Sequence, residues 1–129
     1  MFYAALDRSD AAHGRARAVL ATQEPLVTTD HVVVETWLLA QRRLGATSAN
    51  GFWGGIRAGA VNIESVGSAD VDAAWLVGEQ FRDQAFSIVD CTSFAVMVRL
   101  GLQRAAALDK DFAIFRFGPR RDRAFEIVG

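Results

Sequence analysis

The chain has one cysteine, two prolines and no long apolar run, and each shortage closes off a class of answers. A lone thiol, Cys91, forms no internal disulfide. Small disulfide-stapled secreted domains are therefore excluded, and a reduced, cytoplasmic setting is expected. Lying in an apolar segment, Cys91 reads as a small core residue. No stretch approaches the ~18 consecutive apolar residues of a membrane span, and the N-terminus lacks a charged region followed by an apolar signal segment. The net charge of −1 gives no global attraction to nucleic acid or membrane. Nucleic-acid binding would need a local basic patch or a metal. Pro25 and Pro119 are the only prolines, and no linker, repeat or low-complexity tract divides the 129 residues. One domain over residues 1–129 is expected.

What is present is apolar material, 51% of the chain, enough for a packed core. Met1 to Leu6 is apolar from its first residue. Asp10 is a candidate cap for a helix from Ala11 to about Thr22, with Ala12, Ala16, Val19 and Leu20 at helical spacing. Leu26 to Thr29 reads as a short strand. Asp30 then caps a helix from His31 to Leu44, with Val33, Trp37, Ala40 and Leu44 on one face and Gly45 closing it. A weaker helix, Thr47 to Ala58, offers Phe52, Trp53 and Ile56. Its glycines, Gly51, Gly54 and Gly55, match no phosphate-cradling spacing and suggest close packing or a bend. Val61 to Val66 is a second strand. Ser68 caps a helix to about Asp83 whose buried face is read as Val71, Ala74, Trp75, Gly78 and Phe81, with Asp70 and Asp72 as dipole and solvation residues. Phe125 to Val128 reads as a last strand. His13 and His31 are read as surface residues. Strands alternating with helices argue an α/β class with a mainly parallel sheet flanked by helices.

The chemistry-bearing stretch is Phe86 to Phe112. A short apolar run, Phe86 to Val89, ends on Asp90. A helix-like segment, Cys91 to Leu102, follows, and a second run, Ala105 to Leu108, ends on Asp109, with Asp111 two residues later. In an open α/β sheet, ligands bind outside the carboxyl ends of the strands, so acids closing buried strands point to chemistry. Each also has a plain structural account. Asp90 suits a helix cap, Asp109 to Phe112 an ordinary turn, and Glu35 a partner for a helix dipole. Right-handed crossovers would bring Glu35, Asp90 and Asp109 to one edge. Arg116, Arg120, Arg121 and Arg123 form the one basic cluster, either a phosphate contact or a solvated tail.

The order of these segments resembles a PIN-domain ribonuclease, in particular the VapC-type toxin of bacterial toxin–antitoxin pairs. FYAALDRSDAAHGRARAVL is similar to the first helical hairpin of that family, and LVTTDHVVVETWLLAQRRLG to its second strand and the helix bearing an acid, here Glu35. FSIVDCTSFAVMVRLGL resembles the segment with the next acid, Asp90, and AAALDKDF the closing strand with Asp109 and, more weakly, Asp111. Family members open with an apolar strand ending in Asp and then Thr or Ser. The matching point falls before Met1, and neither Asp7 nor Asp10 replaces that acid. The intact remaining acids favour a start further upstream over a trimmed or degenerate chain.

The resemblance implies a PIN-like three-layer α/β sandwich without its first strand, and a metal-dependent endoribonuclease. Asp90 and Asp109 would bind Mg²⁺ or Mn²⁺, with Asp111 as a further ligand. Glu35 would bind metal or orient the attacking water, and Arg116, Arg120 and Arg121 would meet RNA. The implied partners are an RNA substrate, a cognate antitoxin and a second copy of the chain, with no membrane. The alternative is a catalytically impaired PIN-fold binding module that pairs with an antitoxin or with itself.

Overall fold

The computed structural model describes residues 1–129. Its strands run parallel and its helices dominate, as an α/β protein requires, and the chain divides into two compact units. No helix is long and apolar enough to cross a membrane.

The first unit, Met1–Glu64 with Gly129, contains α1 (Phe2–Leu6), α2 (His13–Leu20), β1 (Val27–Thr29), α3 (Asp30–Leu44), α4 (Ala46–Arg57) and β2 (Asn62–Glu64). β1 and β2 pair in parallel, Val27 opposite Asn62 and Thr29 opposite Glu64. Its core gathers Phe52, Ile56 and Val61 against Phe2, Leu6, Leu26 and Val33. The expected cap of α3 shifts by one residue. Thr29, not Asp30, holds the extended N-cap conformation, and its hydroxyl accepts the Val32 N–H at 3.2 Å. Asp30 becomes the first helical residue, where its charge suits the positive end of the helix. Gly45, at φ 96°, ends α3 in a conformation that L side chains rarely adopt. Three readings are corrected here. Trp53, read with Phe52 and Ile56 as the apolar face of α4, is exposed. His13 is half-buried, with its Nδ1 2.9 Å from the Ala4 carbonyl oxygen. α4 runs unbroken through Gly51, Gly54 and Gly55, and a Cβ at any of them would meet open space, so close packing does not explain them.

The second unit, Ser65–Val128, contains α5 (Ser68–Gln80), α6 (Ile88–Leu100), β3 (Arg104–Ala106), α7 (Asp111–Ile114) and β4 (Glu126–Val128). β3 and β4 pair in parallel, with Ala105 opposite Ile127. Such a two-stranded ladder is stable only with a packed apolar face, which α6 supplies. Cys91 to Val96 are all buried, the pattern of a helix enclosed on every side. Phe94 is 0% exposed and its ring lies flat on Phe115 at 4.5 Å and edge-on to Phe86 and Phe112 at 5.1 and 4.8 Å. Phe125 and Phe117 extend the stack.

The buried face of α5 differs from the expected one. Ala74 and Val77 are buried and Phe81 packs partly against them, whereas Trp75 is 70% exposed and Val71 also faces solvent. The face continues through Asp70, read as a solvation residue but only 5% exposed. Arg99 makes that burial tolerable. Its guanidinium donates to both Asp70 carboxylate oxygens, from Nε at 2.8 Å and Nη2 at 3.1 Å, and the Gly67 N–H adds a third bond at 2.9 Å. These donors hold the Asp70 carboxyl below the usual carboxylate range.

Candidate metal centre

Asp90 does not close a strand. Phe86 to Val89 is irregular and then helical, and Asp90 is the third residue of α6. The local cause is a capping box. The Ser87 hydroxyl accepts the Asp90 N–H at 3.0 Å, and an Asp90 carboxylate oxygen accepts the Ser87 N–H at 3.1 Å. One oxygen of Asp90 is thereby fixed to backbone, and the carboxylate is held at the electropositive start of the helix.

Asp109 and Asp111 follow β3 across a turn. Asp109 accepts the Asp111 N–H through its side chain at 3.0 Å, and Asp111 is the first residue of α7. The aromatic core joins this turn to α6. Asp90 and Phe94 are four residues apart and share a helix face, Phe112 follows Asp111 directly, and the two rings meet edge-on. Ligand oxygens of Asp90, Asp109 and Asp111 consequently lie within 4.8 Å of one another, Asp109 exposed and the other two half-buried.

Three carboxylates so close cannot all ionise without cost. Asp111 shows it: burial, then the Asp109 charge, then a hydrogen bond with Asp90 push its carboxyl above the usual range. A cation between them would reverse that balance. An all-oxygen donor set with a surplus of negative charge suits Mg²⁺ or Mn²⁺ and has no use for softer metals. Cys91, next to Asp90, takes no part; it is buried, and burial pushes its thiol up.

The structure thus brings together three of the four expected acids, including Asp111, the weakest of them by sequence. Glu35 stands in the first unit, exposed in the second turn of α3. The arginines divide. Arg116 is turned back on its own chain, donating from Nη1 to the carbonyls of Ala113, Ile114 and Phe115 at 2.6, 3.2 and 3.0 Å, and so closes the C-terminus of α7. Arg120 and Arg121 sit exposed in the following turn. Sequence reasoning missed Ser87, although Ser-x-x-Asp before an apolar run is a recognised helix start.

Comparison with known proteins gives one answer throughout. The PIN domain family model matches residues 1–118. The 23S rRNA-specific endonuclease VapC20 of Mycobacterium tuberculosis, from strains CDC 1551 / Oshkosh and H37Rv, is 39% identical over 126 residues, covering 90% of both chains. The crystal structure of M. tuberculosis VapC20, a sarcin–ricin-loop-cleaving toxin, superposes with a TM-score of 0.80 at 37% identity over 87% of each chain. With the fold, the acidic trio and these relatives in agreement, the chain belongs to the PIN domain family.

Proposed function

We propose that this protein is a metal-dependent endoribonuclease, the toxin of a toxin–antitoxin pair, acting as one domain over residues 1–129. The observation that carries the reading is the convergence of Asp90, Asp109 and Asp111 within 4.8 Å. Asp90, Asp109 and Asp111 would hold Mg²⁺ or Mn²⁺, which when bound neutralises phosphate charge and makes water a better nucleophile. The residues themselves divide the remaining work. Asp90, tethered to the Ser87 N–H, keeps a fixed orientation. Asp109 offers an exposed oxygen toward solvent. Asp111, half-buried beside the other two, would supply the third carboxylate oxygen.

The similarity to VapC20 supports RNA as the substrate class and makes a sarcin–ricin stem-loop the first RNA to test. A cognate antitoxin as partner, a second copy of the chain as assembly and the cytoplasm as setting complete the reading, on the family resemblance of the sequence. The test incubates the protein with that stem-loop in Mg²⁺ or Mn²⁺. A single cut, lost in EDTA and lost in Asp90→Asn, is expected. Cleavage that survives in EDTA, or that Asp90→Asn performs equally well, would overturn the reading. Binding without cleavage by the parent protein would support the impaired binding module instead.

A further inference from the structure

The turn that follows α7 has no role in holding metal, and its construction points outward. Phe117 and Arg123 pair as an antiparallel bridge, the Phe117 N–H donating to the Arg123 carbonyl at 3.0 Å and the Arg123 N–H donating back at 3.2 Å. Between them the chain turns through Gly118, Pro119, Arg120, Arg121 and Asp122, closed by the Arg121 N–H on the Gly118 carbonyl at 3.0 Å. The turn is firmly mounted. The Phe117 ring lies on Phe125 at 4.8 Å and near Phe115 at 6.2 Å, the same stack that encloses Phe94. Gly118 has φ 88°, and a Cβ there would come within 3.1 Å of the Arg123 stem. Pro119 fixes a second backbone angle.

On this mount Arg121 is the chain's one non-glycine residue at positive φ, 51°, a position that turns usually give to glycine or asparagine. A strained arginine on a rigid turn is an outlier that local folding does not call for. Arg120 and Arg121 are exposed, and no hydrogen bond or ion pair occupies either guanidinium, whereas Arg116 and Arg99 are both engaged within the fold. Asp122, the one carboxylate in the turn, pairs with neither. Two exposed guanidinium groups on consecutive residues of one turn offer forked donors of the kind that phosphates accept.

Position agrees with charge. Asp111 and Phe117 are separated by the four-residue α7 and a short extended segment, a reach of at most about 16 Å. That corresponds to roughly four or five nucleotides along a strand. The acidic trio repels a phosphate backbone wherever no cation covers it, so a nearby cationic contact has a job in holding substrate.

We propose that the 117–123 hairpin is an RNA-backbone anchor. Arg120 and Arg121 grip phosphates a few nucleotides from the scissile one, without reading base sequence. The proposal rests on the endoribonuclease reading, and its test separates the two. Binding of a fluorescent stem-loop RNA to Asp90→Asn protein in Mg²⁺ is measured by anisotropy against salt, and cleavage kinetics are measured in the parent background. Arg120→Ala and Arg121→Gly should each weaken binding about fivefold and lower the slope of log affinity against log salt by about 1. In cleavage, KM should rise while kcat holds. Arg121→Gly also relieves the strained backbone, so its Tm should stay level or rise, which separates lost contact from lost fold. Arg120→Lys should recover much of the affinity, since charge is what the contact uses. Unchanged salt slope and KM in both variants would overturn the anchor while leaving the nuclease intact. Unchanged RNA binding with weakened binding of an antitoxin would overturn it in favour of a protein contact. If the parent protein cleaves nothing, the nuclease reading falls, and the anisotropy series still decides whether this turn binds RNA.

Discussion

Replacing Asp111 with asparagine should make the metal-free protein more stable and the metal-bound protein less so. The ligand oxygens of Asp90, Asp109 and Asp111 lie no more than 4.8 Å apart. Two unit charges at that distance repel by about 1 kcal/mol even at the dielectric constant of water, and salt reduces this further for the exposed Asp109. Asp111 faces two such neighbours and is also half-buried, and its carboxyl is pushed above the usual range by burial first and by those neighbours second. The sign follows from proton binding. With a folded-state pKa above the unfolded one, the folded protein holds the proton more tightly. Stability therefore falls as pH rises from the unfolded value near 3.8 through the higher folded one, and the full penalty stands at neutral pH. Asparagine removes the charge and keeps a donor for Asp90. The expected gain in EDTA at pH 7.5 is about 1–2 kcal/mol, or a Tm rise of about 3–6 °C for a chain of this size. Below the unfolded pKa the two proteins should melt together. Saturating Mg²⁺ should reverse the order, since a ligand at about a hundred times its Kd stabilises the parent by about 2.7 kcal/mol and the variant has lost a ligating group. Thermal melts at pH 3.5 and 7.5, in EDTA and in Mg²⁺, give all four comparisons. A lower Tm for Asp111→Asn in EDTA at pH 7.5, or a gain that persists unchanged at pH 3.5, would refute the electrostatic account.

The same structure fixes three other outcomes. Phe94→Ala removes a ring that is 0% exposed and touches Phe86, Phe112, Phe115 and Phe125, so denaturant titration should show a loss of about 3–5 kcal/mol. Arg99→Ala leaves the buried Asp70 carboxylate with only the Gly67 N–H, at a cost of about 1–2 kcal/mol once the open side of the guanidinium is discounted for solvent. Because the folded Asp70 pKa is depressed, that stabilisation exists above the unfolded carboxylate pKa and fades as pH falls through the folded value, so parent and variant should converge in acid. Ser87→Ala should cost about 1 kcal/mol as a lost cap but keeps the backbone N–H that tethers the Asp90 carboxylate, so Mg²⁺ affinity in calorimetry should hold; a marked loss of affinity would mean that the hydroxyl also positions Asp90.

Much of this architecture is legible in the sequence because it is local. The element order follows from apolar periodicity, and Gly45, at positive φ, ends α3 where a glycine after an apolar run says it should; Gly101, also at positive φ, ends α6 at Leu100, inside the stretch to Leu102 that the apolar pattern suggested. The errors are non-local. The phase of α5 was misread because Asp70 is buried by a guanidinium 29 residues away, and no window of the sequence contains both. Once that pair forms, the face turns to Asp70, Ala74, Val77 and Phe81, and Trp75 is carried out to solvent. Phe86 to Val89 looked like a strand because a short apolar run fits strand or buried helix equally well. The Ser87 hydroxyl, bonded to the Asp90 N–H, decides for helix. At the site, the carboxylates were visible as acids closing apolar elements. What sequence could not show was that Arg116, counted with the RNA-facing arginines, spends its donors on the carbonyls of Ala113, Ile114 and Phe115.

The acidic trio and the phenylalanine stack are one construction. Carboxylates at these distances do not approach one another unaided, since each pair costs about 1 kcal/mol in water and more where the dielectric falls. The opposing force comes from the residues beside them. Asp90 is fixed to the face of α6 that carries Phe94, and Asp111 is peptide-bonded to Phe112, so burying the two rings edge-on at 4.8 Å moves the two carboxylates together as well. Full burial of one such ring is worth about 2–3 kcal/mol, before the added preference of an edge-to-face pair. That exceeds the repulsion of any single pair. The site is consequently assembled before any cation arrives. A cation that binds meets ligands already in place, and the ordering cost has been met by the hydrophobic core.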